Sequence, residues 1–352
     1  MSKILKPLSA VYGLAVTARK AAYRRGWFAT RKLARPVVSI GNLTVGGTGK
    51  TPLVEYVADL LAKRGLKPGI LTRGYGRRSK ADLISVEPAE KRSPDPHEIG
   101  DEPALLGRKL PQVPMVVGAD RFRGGQLAEE KFGVDVHILD DGFQRLSIAR
   151  DLDIVVLDAT RNLSKQSLLP AGRLREPVEA LKRAQIIVIS RVELADPKRV
   201  EDLARQINPD AKIFHAETKL GGLADVKTGR AHPTNEVQEE PIFAFCGVGN
   251  PGAFFVNLSQ WGFKVAGTAT YPDHHVYTKH EFAMMVLALK RPAGSRGVNY
   301  VLTTEKDAQN LPLQEYEGEI PILACVIRSE ILEAEAFESA VMERLKPAKV
   351  NV

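Results

Sequence analysis

The chain is 352 residues long, with 44% hydrophobic and 26% charged residues. This composition excludes a wholly disordered chain, and at ~100–200 residues per domain the length predicts two domains. The net charge is +8, yet no acidic residue precedes Glu55 and ten Lys and Arg fall within residues 1–54, so the rest of the chain is slightly acidic. Basicity confined to one end suits an anionic surface met by the N-terminus, whereas a nucleic-acid footprint would need a further basic or aromatic cluster. No nucleic acid and no protein partner is expected. Cys246 and Cys325 are the only cysteines. They are too few for a disulfide framework, lack CxxC spacing for zinc, and read as core residues of two apolar strands in a reducing compartment. No apolar run reaches the ~18–20 residues needed to span a bilayer.

Residues 1–33 form a basic leader. Ile4, Leu5, Leu8, Val11, Tyr12, Leu14, Ala15 and Val16 recur at roughly helical spacing, flanked by Lys3, Lys6, Arg19 and Lys20 and followed by Trp27 and Phe28. The pattern predicts an amphipathic helix. Three uses stay open: an interfacial helix on anionic lipid, a first helix packed on its own domain, or an organellar transit segment.

From Pro36 onward short apolar runs (PVVSI, GILT, PMVVG, DVHILD, LDIVVLD, QIIVIS) alternate with helical stretches or loops. This predicts an α/β fold, a mostly parallel sheet with helices on both faces. The helix after Lys50 carries Leu53, Val54, Val57, Leu60 and Leu61 on one stripe, with Gly65 as its stop. Residues 76–100 are polar and read as a long loop or inserted hairpin. A second polar, Gly-containing break lies near 218–240, after which PIFAFCGV, FKVAGTAT, NYVLTT and PILACVI resume the pattern. The expected division is therefore 34–220 for the main domain, 221–240 for a linker and 241–352 for a smaller α/β domain.

The strongest local signal is a strand, a glycine-rich turn and a helix in VVSIGNLTVGGTGKT. Gly46, Gly47 and Gly49 let backbone N–H groups converge on phosphate, Lys50 neutralises charge, and the Thr51 hydroxyl can hold Mg²⁺ at the helix start. The first glycine of GxxxxGK[ST] is replaced by Thr44, followed by Val45, with Thr48 inside the turn, so this is a variant P-loop. The apolar strand Val134–Leu139 ends in Asp140 and Asp141 and resembles a Walker B strand, whose carboxylate binds Mg²⁺ beside the β- and γ-phosphates. Together they predict a P-loop NTPase-type domain using ATP and Mg²⁺.

Further segments stand after strands or as polar turns: Thr72-Arg73-Gly74-Tyr75-Gly76-Arg77, Gly100-Asp101-Glu102-Pro103, Asp140-Asp141-Gly142-Phe143-Gln144 and Leu169–Pro177. In an open α/β sheet such loops converge beyond the carboxyl ends of the strands. In one order, GNLTVGGTGKTP, RGYGR, GDEP, DDGFQ, LLPAGRLREP, CGVGNP, YPDHH and TTEKDA resemble the tetraacyldisaccharide 4′-kinase family of lipid A biosynthesis over most of the chain. The resemblance implies transfer of the ATP γ-phosphate to the 4′-hydroxyl of an acylated glucosamine disaccharide 1-phosphate, at the cytoplasmic face of a bacterial inner membrane. By matching motif it implies phosphate contacts from Lys50 and Thr51 and a metal site completed by Asp140 and Asp141. It makes Asp101 the catalytic base, paired with a histidine of the DHH segment, His274 in preference to His275. Arg73, Tyr75, Glu102, Arg121, Gln144, Arg175 and Glu176 would arrange substrate, phosphates or metal. An unperturbed Asp is a weak base toward a sugar hydroxyl, which is why a histidine partner makes chemical sense. Two positions depart from the family pattern: Arg145 stands where His follows DDGFQ, and Arg173 where Pro follows LLPAG.

Other readings of the same residues are plainer. Asp101 could be only a helix N-cap, His274 and His275 a capped turn, and Arg73 and Arg77 solvated loop residues. A partitioning-type ATPase would carry a signature Lys before the paired glycines, where this chain has Val45. Ser190-Arg191-Val192-Glu193 lacks the Asn and Asp of a guanine-reading NKxD segment.

Overall fold

The computed structural model describes residues 2–88, 95–289, 297–313 and 320–345. The short apolar runs become strands because their residues are β-branched or aliphatic and are bounded by Gly, Pro or Asp. In chain order these are β1 (Val37–Asn42), β2 (Pro68–Thr72), β3 (Leu83–Val86), β4 (Met115–Gly118), β5 (Val136–Asp140), β6 (Leu152–Asp158), β7 (Ile186–Ser190), β8 (Lys212–Asp225), β9 (Ala231–His232), β10 (Pro241–Cys246), β11 (Lys264–Thr270), β12 (Tyr300–Thr304) and β13 (Ile322–Ile331). The chain forms two compact units, Met1–Glu217 with Ser329–Val352, and Thr218–Arg328.

In the first unit the strand order is β8-β7-β6-β1-β5-β2-β4-β3. Its neighbours pair in parallel apart from β3, which lies antiparallel on β4. Residues one apart on a strand point to opposite faces, and the core divides accordingly. Val38 and Ile40 of β1, Ile138 of β5 and Ile154 of β6 pack with Leu53, Val54, Val57 and Leu61 of the helix Lys50–Lys63. Val37, Leu71, Val116 and Leu139 pack toward Ala128 of the helix Arg121–Phe132. Val155, Leu157, Ile187 and Ile189 pack toward Val200 and Ala204 of the helix Lys198–Ile207. Strands covered on both faces read as unbroken apolar runs, as these do. Gly65, at φ +78°, ends the helix Lys50–Lys63 as expected, its N–H donating to Ala62 O.

The second unit has the parallel order β11-β10-β12-β13. Ile242, Ala244 and Cys246 pack with Phe254 and Leu258 of the helix Pro251–Gln260. Phe245, Val301 and Ile322 pack with Tyr277, Phe282 and Met285. Both cysteines are free and buried, as the sequence predicts.

The units divide differently from the expected 34–220, 221–240 and 241–352. Residues 221–240 belong wholly to the second unit: β8 runs on to Asp225, β9 returns against it with Leu223 opposite His232, and Val237 of the helix Thr234–Gln238 is buried. Polar, Gly-bearing composition marks a strand with one solvated face here. The C-terminal helix Ala334–Leu345 belongs to the first unit, because Phe337, Ala340 and Val341 join its core. Phe337 meets Phe214 and Tyr56 edge-on, with ring centroids 5.3 and 5.9 Å away. Part of the 76–100 segment is indeed strand, β3, and part is the short helix Pro96–Ile99; residues 89–94 lie outside the described residues.

The leader forms the helix Ser2–Arg24 and belongs to the first unit. One side is fastened to the segment 168–175: Ser9 Oγ donates to Leu168 O at 2.9 Å and accepts from Ala171 N at 2.9 Å, and Tyr12 Oη donates to Arg175 O at 2.9 Å. Leu8, Val11 and Leu14 lie exposed on the helix, and Trp27 and Phe28 are exposed beyond its end. The expected apolar stripe is thus split, with Tyr12 packed inward.

Phe337→Ala should destabilise the first unit by about 3–5 kcal/mol, since a fully buried aromatic is replaced by a cavity; urea unfolding of the full chain measures this. A loss below 1 kcal/mol would mean that the C-terminal helix does not complete that core.

Candidate active site

Because the strands of the first unit run parallel, the segments after β1, β2, β5, β6 and β7 leave from the same edge of the sheet. The glycine-rich turn after β1 is zipped to the segment 173–175. Val45 N donates to Arg173 O at 2.8 Å, Arg175 N donates to Leu43 O at 2.7 Å, and Thr44 forms an antiparallel bridge with Leu174. Thr44 therefore sits in extended pairing that needs no glycine, which accounts for the variant start of the motif. Left-handed backbone comes later, at Gly46 (φ +94°) and Gly49 (φ +85°), where a Cβ is costly. The backbone N–H groups of Gly46, Gly47, Thr48 and Gly49 meet no protein acceptor among the described residues. Lys50 and Thr51 open the helix that follows. Asn42 Nδ2 donates to Thr48 Oγ1 at 2.9 Å and Gln144 Nε2 to Asn42 O at 2.9 Å, so Gln144 braces the turn from below.

Asp140 and Asp141 end β5 in contrasting surroundings. Asp141, at φ +51°, lies 3.4 Å from Lys50 Nζ and 2.6 Å from Arg175 Nη1. Burial raises its pKa, but Lys50 and Arg175 outweigh this and hold the carboxyl down at about 2. Asp140 is buried, and its Oδ2 accepts from Thr72 Oγ1 at 2.8 Å. Burial, then the nearby charges of Glu102 and Asp141, push it up to about 6. Neighbouring carboxylates with opposite shifts are a mark of functional sites.

Two glycines bring the RGYGR and GDEP segments together. A Cβ on Gly100 (φ +98°) would lie 2.6 Å from Tyr75 O, and one on Gly74 (φ +70°) 2.6 Å from Ile99 O. Asp101, 8% exposed, is the first residue of the helix Asp101–Lys109, and its Oδ1 accepts from Glu102 N at 2.9 Å. The cap position belongs to Gly100, so Asp101 is not the N-cap that the plainer reading makes it. Arg73 and Tyr75 are exposed on the loop. Arg121, 5% exposed, donates through Nη1 to Gly118 O and Ala119 O at 2.8 and 3.1 Å, while its buried Nε meets no acceptor. Burial, then Arg145 and Arg73, lower this guanidinium to about 10, against the pull of Asp140 and Asp141.

Glu176 departs from its expected ligand-facing role. It is 4% exposed, and Arg183 takes both carboxylate oxygens at 2.9 and 3.0 Å while lying 4.3 Å over the Phe143 ring. A carboxylate buried this far requires a paired cation, and Arg183 supplies it. Arg175, in register with it, does reach Asp141.

In the second unit His274 has φ +61° and its N–H donates to Gly247 O at 3.3 Å. Its Nε2 lies 3.1 Å from Lys306 Nζ; an ammonium has only donors, so Nε2 accepts. His275 is engaged differently, stacked 4.9 Å from Tyr271, edge-on 4.8 Å from Tyr277, and 3.4 Å from Glu281. Asp307 of TTEKDA joins that segment to CGVGNP and to Tyr277 just beyond YPDHH, accepting from Gly247 N, Tyr277 Oη and Thr304 Oγ1.

Sequence reading places Thr72 in a candidate segment, and it does not find Asn42, Asp158, Arg183 or Arg191 as parts of the site's framework. A polar residue at the end of an apolar strand, at positions 42 and 158, was the available signal.

A family model described as tetraacyldisaccharide-1-P 4′-kinase matches residues 1–346. The tetraacyldisaccharide 4′-kinase of Geobacter metallireducens is 38% identical over 339 residues, covering 96% of each chain. That of Anaeromyxobacter dehalogenans is 40% identical over 307 residues, covering 86% of this chain and 79% of its own. The solved structure of LpxK from Aquifex aeolicus in complex with ATP is similar with a TM-score of 0.77 and 32% identity, covering 98% of this chain and 99% of that one. By fold, by matched length and by the residues gathered after the strands of its first unit, the chain belongs to the tetraacyldisaccharide-1-P 4′-kinase family.

Proposed function

We propose that this chain carries out its family's reaction, transfer of the γ-phosphate of ATP to the 4′-hydroxyl of a tetraacylated glucosamine disaccharide 1-phosphate in lipid A biosynthesis, through the residues gathered in the first unit. The observation that carries this is the meeting of unfilled amides at Gly46–Gly49, the cation of Lys50 and the carboxylates of Asp140 and Asp141 on one sheet edge. A phosphate chain supplies what those amides and that lysine lack.

The donor set also fits Mg²⁺. Among the described residues no group of three or more His, Cys, Asp and Glu is disposed to hold a metal. Mg²⁺ on a nucleotide needs only one or two protein carboxylates, because phosphate oxygens and water complete its shell. Asp140, whose carboxyl is pushed up to about 6 by burial and by Glu102 and Asp141, is short of positive charge. Asp140 and Asp141, with the Thr51 hydroxyl, would hold the ion, whose chemistry is to offset the charge of the β- and γ-phosphates.

Asp101 is the base of this proposal. It is a buried carboxylate at the start of a helix, beside the Tyr75 loop, and it accepts the proton of the sugar hydroxyl as the new O–P bond forms and the bond from the γ-phosphorus to the bridging oxygen breaks, releasing ADP. His274 keeps the role of proton partner that its motif implies. Arg73 and Arg121 offset phosphate charge, Arg121 through the Nε that meets no protein acceptor. Most of the rate comes from positioning and charge neutralisation in a loose transition state.

The leader supports a peripheral place on the cytoplasmic face of a bacterial inner membrane. No helix among the described residues is long and apolar enough to cross a membrane. Leu8, Val11, Leu14, Trp27 and Phe28 are exposed among the leader's cations, the composition of an interfacial anchor on anionic lipid.

Transfer of ³²P from labelled ATP to the acylated disaccharide 1-phosphate tests the activity itself. Asp101→Ala should lower that transfer by about 10²–10⁴-fold while ATP binding persists; turnover near wild type would refute the base assignment. Asp140 has a folded-state pKa above its unfolded value, so its stabilising contribution is present below about pH 4 and is lost as pH rises through about 6. The stability of Asp140→Asn relative to wild type should therefore rise by up to about 3 kcal/mol between pH 4 and pH 8 in urea titrations without nucleotide. A difference that stays flat across that range would show that the carboxyl ionises normally. Replacing Leu8, Val11 and Leu14 together by Ser should weaken partition onto anionic vesicles more than about ten-fold with the fold intact; unchanged partition would end the interfacial reading.

A further inference from the structure

Three carbonyls of the glycine-rich turn are held from behind by side chains. Arg173 Nε donates to Val45 O at 3.3 Å, Arg191 Nη1 to Gly47 O at 2.9 Å, and Ser190 Oγ to Thr48 O at 2.8 Å. In a trans peptide the C=O of one residue and the N–H of the next point in opposite directions. Each contact therefore turns a following amide, those of Gly46, Thr48 and Gly49, away from the donor. These are amides that meet no protein acceptor among the described residues.

Two of the three donors are the last residue of β7, Ser190, and the residue that follows it, and β7 is separated from β1 by β6. Ser190 is buried, and the loop carbonyl is its shorter contact, ahead of Leu157 O at 3.2 Å. Arg191 has φ +61°, a backbone region uncommon for residues with a side chain. Its guanidinium pairs with the buried Asp158, which also accepts from Arg161 Nε at 3.2 Å and from Thr160 N at 3.0 Å. Asp158 is 1% exposed, so it needs cations beside it; Arg161 and Arg191 both supply them, and the pairing holds Arg191 in one direction. The same arginine then reaches Gly47.

We propose that Ser190 and Arg191, backed by Asp158, are positioning residues of the phosphate loop: they hold the carbonyls of Thr48 and Gly47 so that the following amides stay aimed at the nucleotide phosphates. The proposal rests on the reading that this loop binds Mg·ATP. It assigns a use to a segment whose place after a strand had suggested base recognition without the residues for it. Holding the loop from β7 acts on nucleotide affinity and leaves the grip on the sugar acceptor untouched.

Calorimetric titration of the full chain with Mg·ATP, together with KM values for ATP and for the acylated disaccharide 1-phosphate, tests this. Ser190→Ala should weaken Mg·ATP binding by about two- to ten-fold, the net worth of one hydrogen bond, with the acceptor KM unchanged. Ser190→Thr, which keeps the hydroxyl, should restore affinity. Asp158→Asn combined with Arg191→Gln removes the buried carboxylate with the one of its two arginine partners that reaches the loop, Arg161 remaining, and should weaken Mg·ATP at least as much as Ser190→Ala. Should this double variant fail to fold, the two Ser190 variants still decide. Wild-type affinity in Ser190→Ala overturns the proposal, as does an acceptor KM that rises by the same factor or a Ser190→Thr that fails to restore binding. A wild-type chain that binds no Mg·ATP would overturn the reading of the loop and this proposal with it.

Discussion

A backbone that grips phosphate must leave its own amides without acceptors, and a folded protein tolerates that only where the rest of the structure forbids the loop to relax. The turn at Gly46–Gly49 meets this constraint. One strand-like segment zips to its entrance through Val45 and Leu43. The side chain of Asn42 holds Thr48, and Gly41 leaves room for Phe143, since a Cβ there would lie 2.6 Å from that side chain. Gly46, Gly47 and Gly49 are only partly buried, so these amides remain open to a partner from outside the protein.

The same logic governs the carboxylates at the end of β5. Asp140 closes the strand and Asp141 follows it in a left-handed turn at φ +51°, so the two carboxylates enter surroundings of different charge. Asp141 faces Lys50 and Arg175 and stays ionised, whereas Asp140 faces Thr72 with Glu102 nearby and resists ionisation. One carboxylate pairs with the lysine near the loop; the other has no cation within ion-pair distance among the described residues. Arg121 completes this balance, a guanidinium kept dry by Gly118 O and Ala119 O on one side and incompletely satisfied on the other.

Much of this was legible in the sequence, because the fold is written in runs of Val, Ile and Leu whose lengths suit buried parallel strands, and the phosphate turn in Gly46, Gly49 and Lys50. Elements defined by distant partners were not. The polar composition of 221–240 looks like a linker until β9 supplies a neighbour for β8, and nothing in Phe337 announces that its ring belongs between Phe214 and Tyr56. Motif position alone assigned Glu176 to the ligand; the guanidinium that claims it comes from Arg183, seven residues on, in a turn with no signature of its own. Arg191 stayed hidden for a similar reason: its role depends on the burial of Asp158, a property of the assembled sheet.

The fastening of the leader through Ser9 and Tyr12 bears on geometry at the scale of the whole first unit. Tyr12 holds the carbonyl of Arg175, and the amide of that same residue holds Leu43 at the mouth of the turn. Helix and glycine-rich turn therefore share one rivet, Arg175. The outer side of the helix, where Leu8, Val11 and Leu14 lie exposed, is thereby held at a set height and tilt from the glycine-rich turn, as a keel stands to a hull.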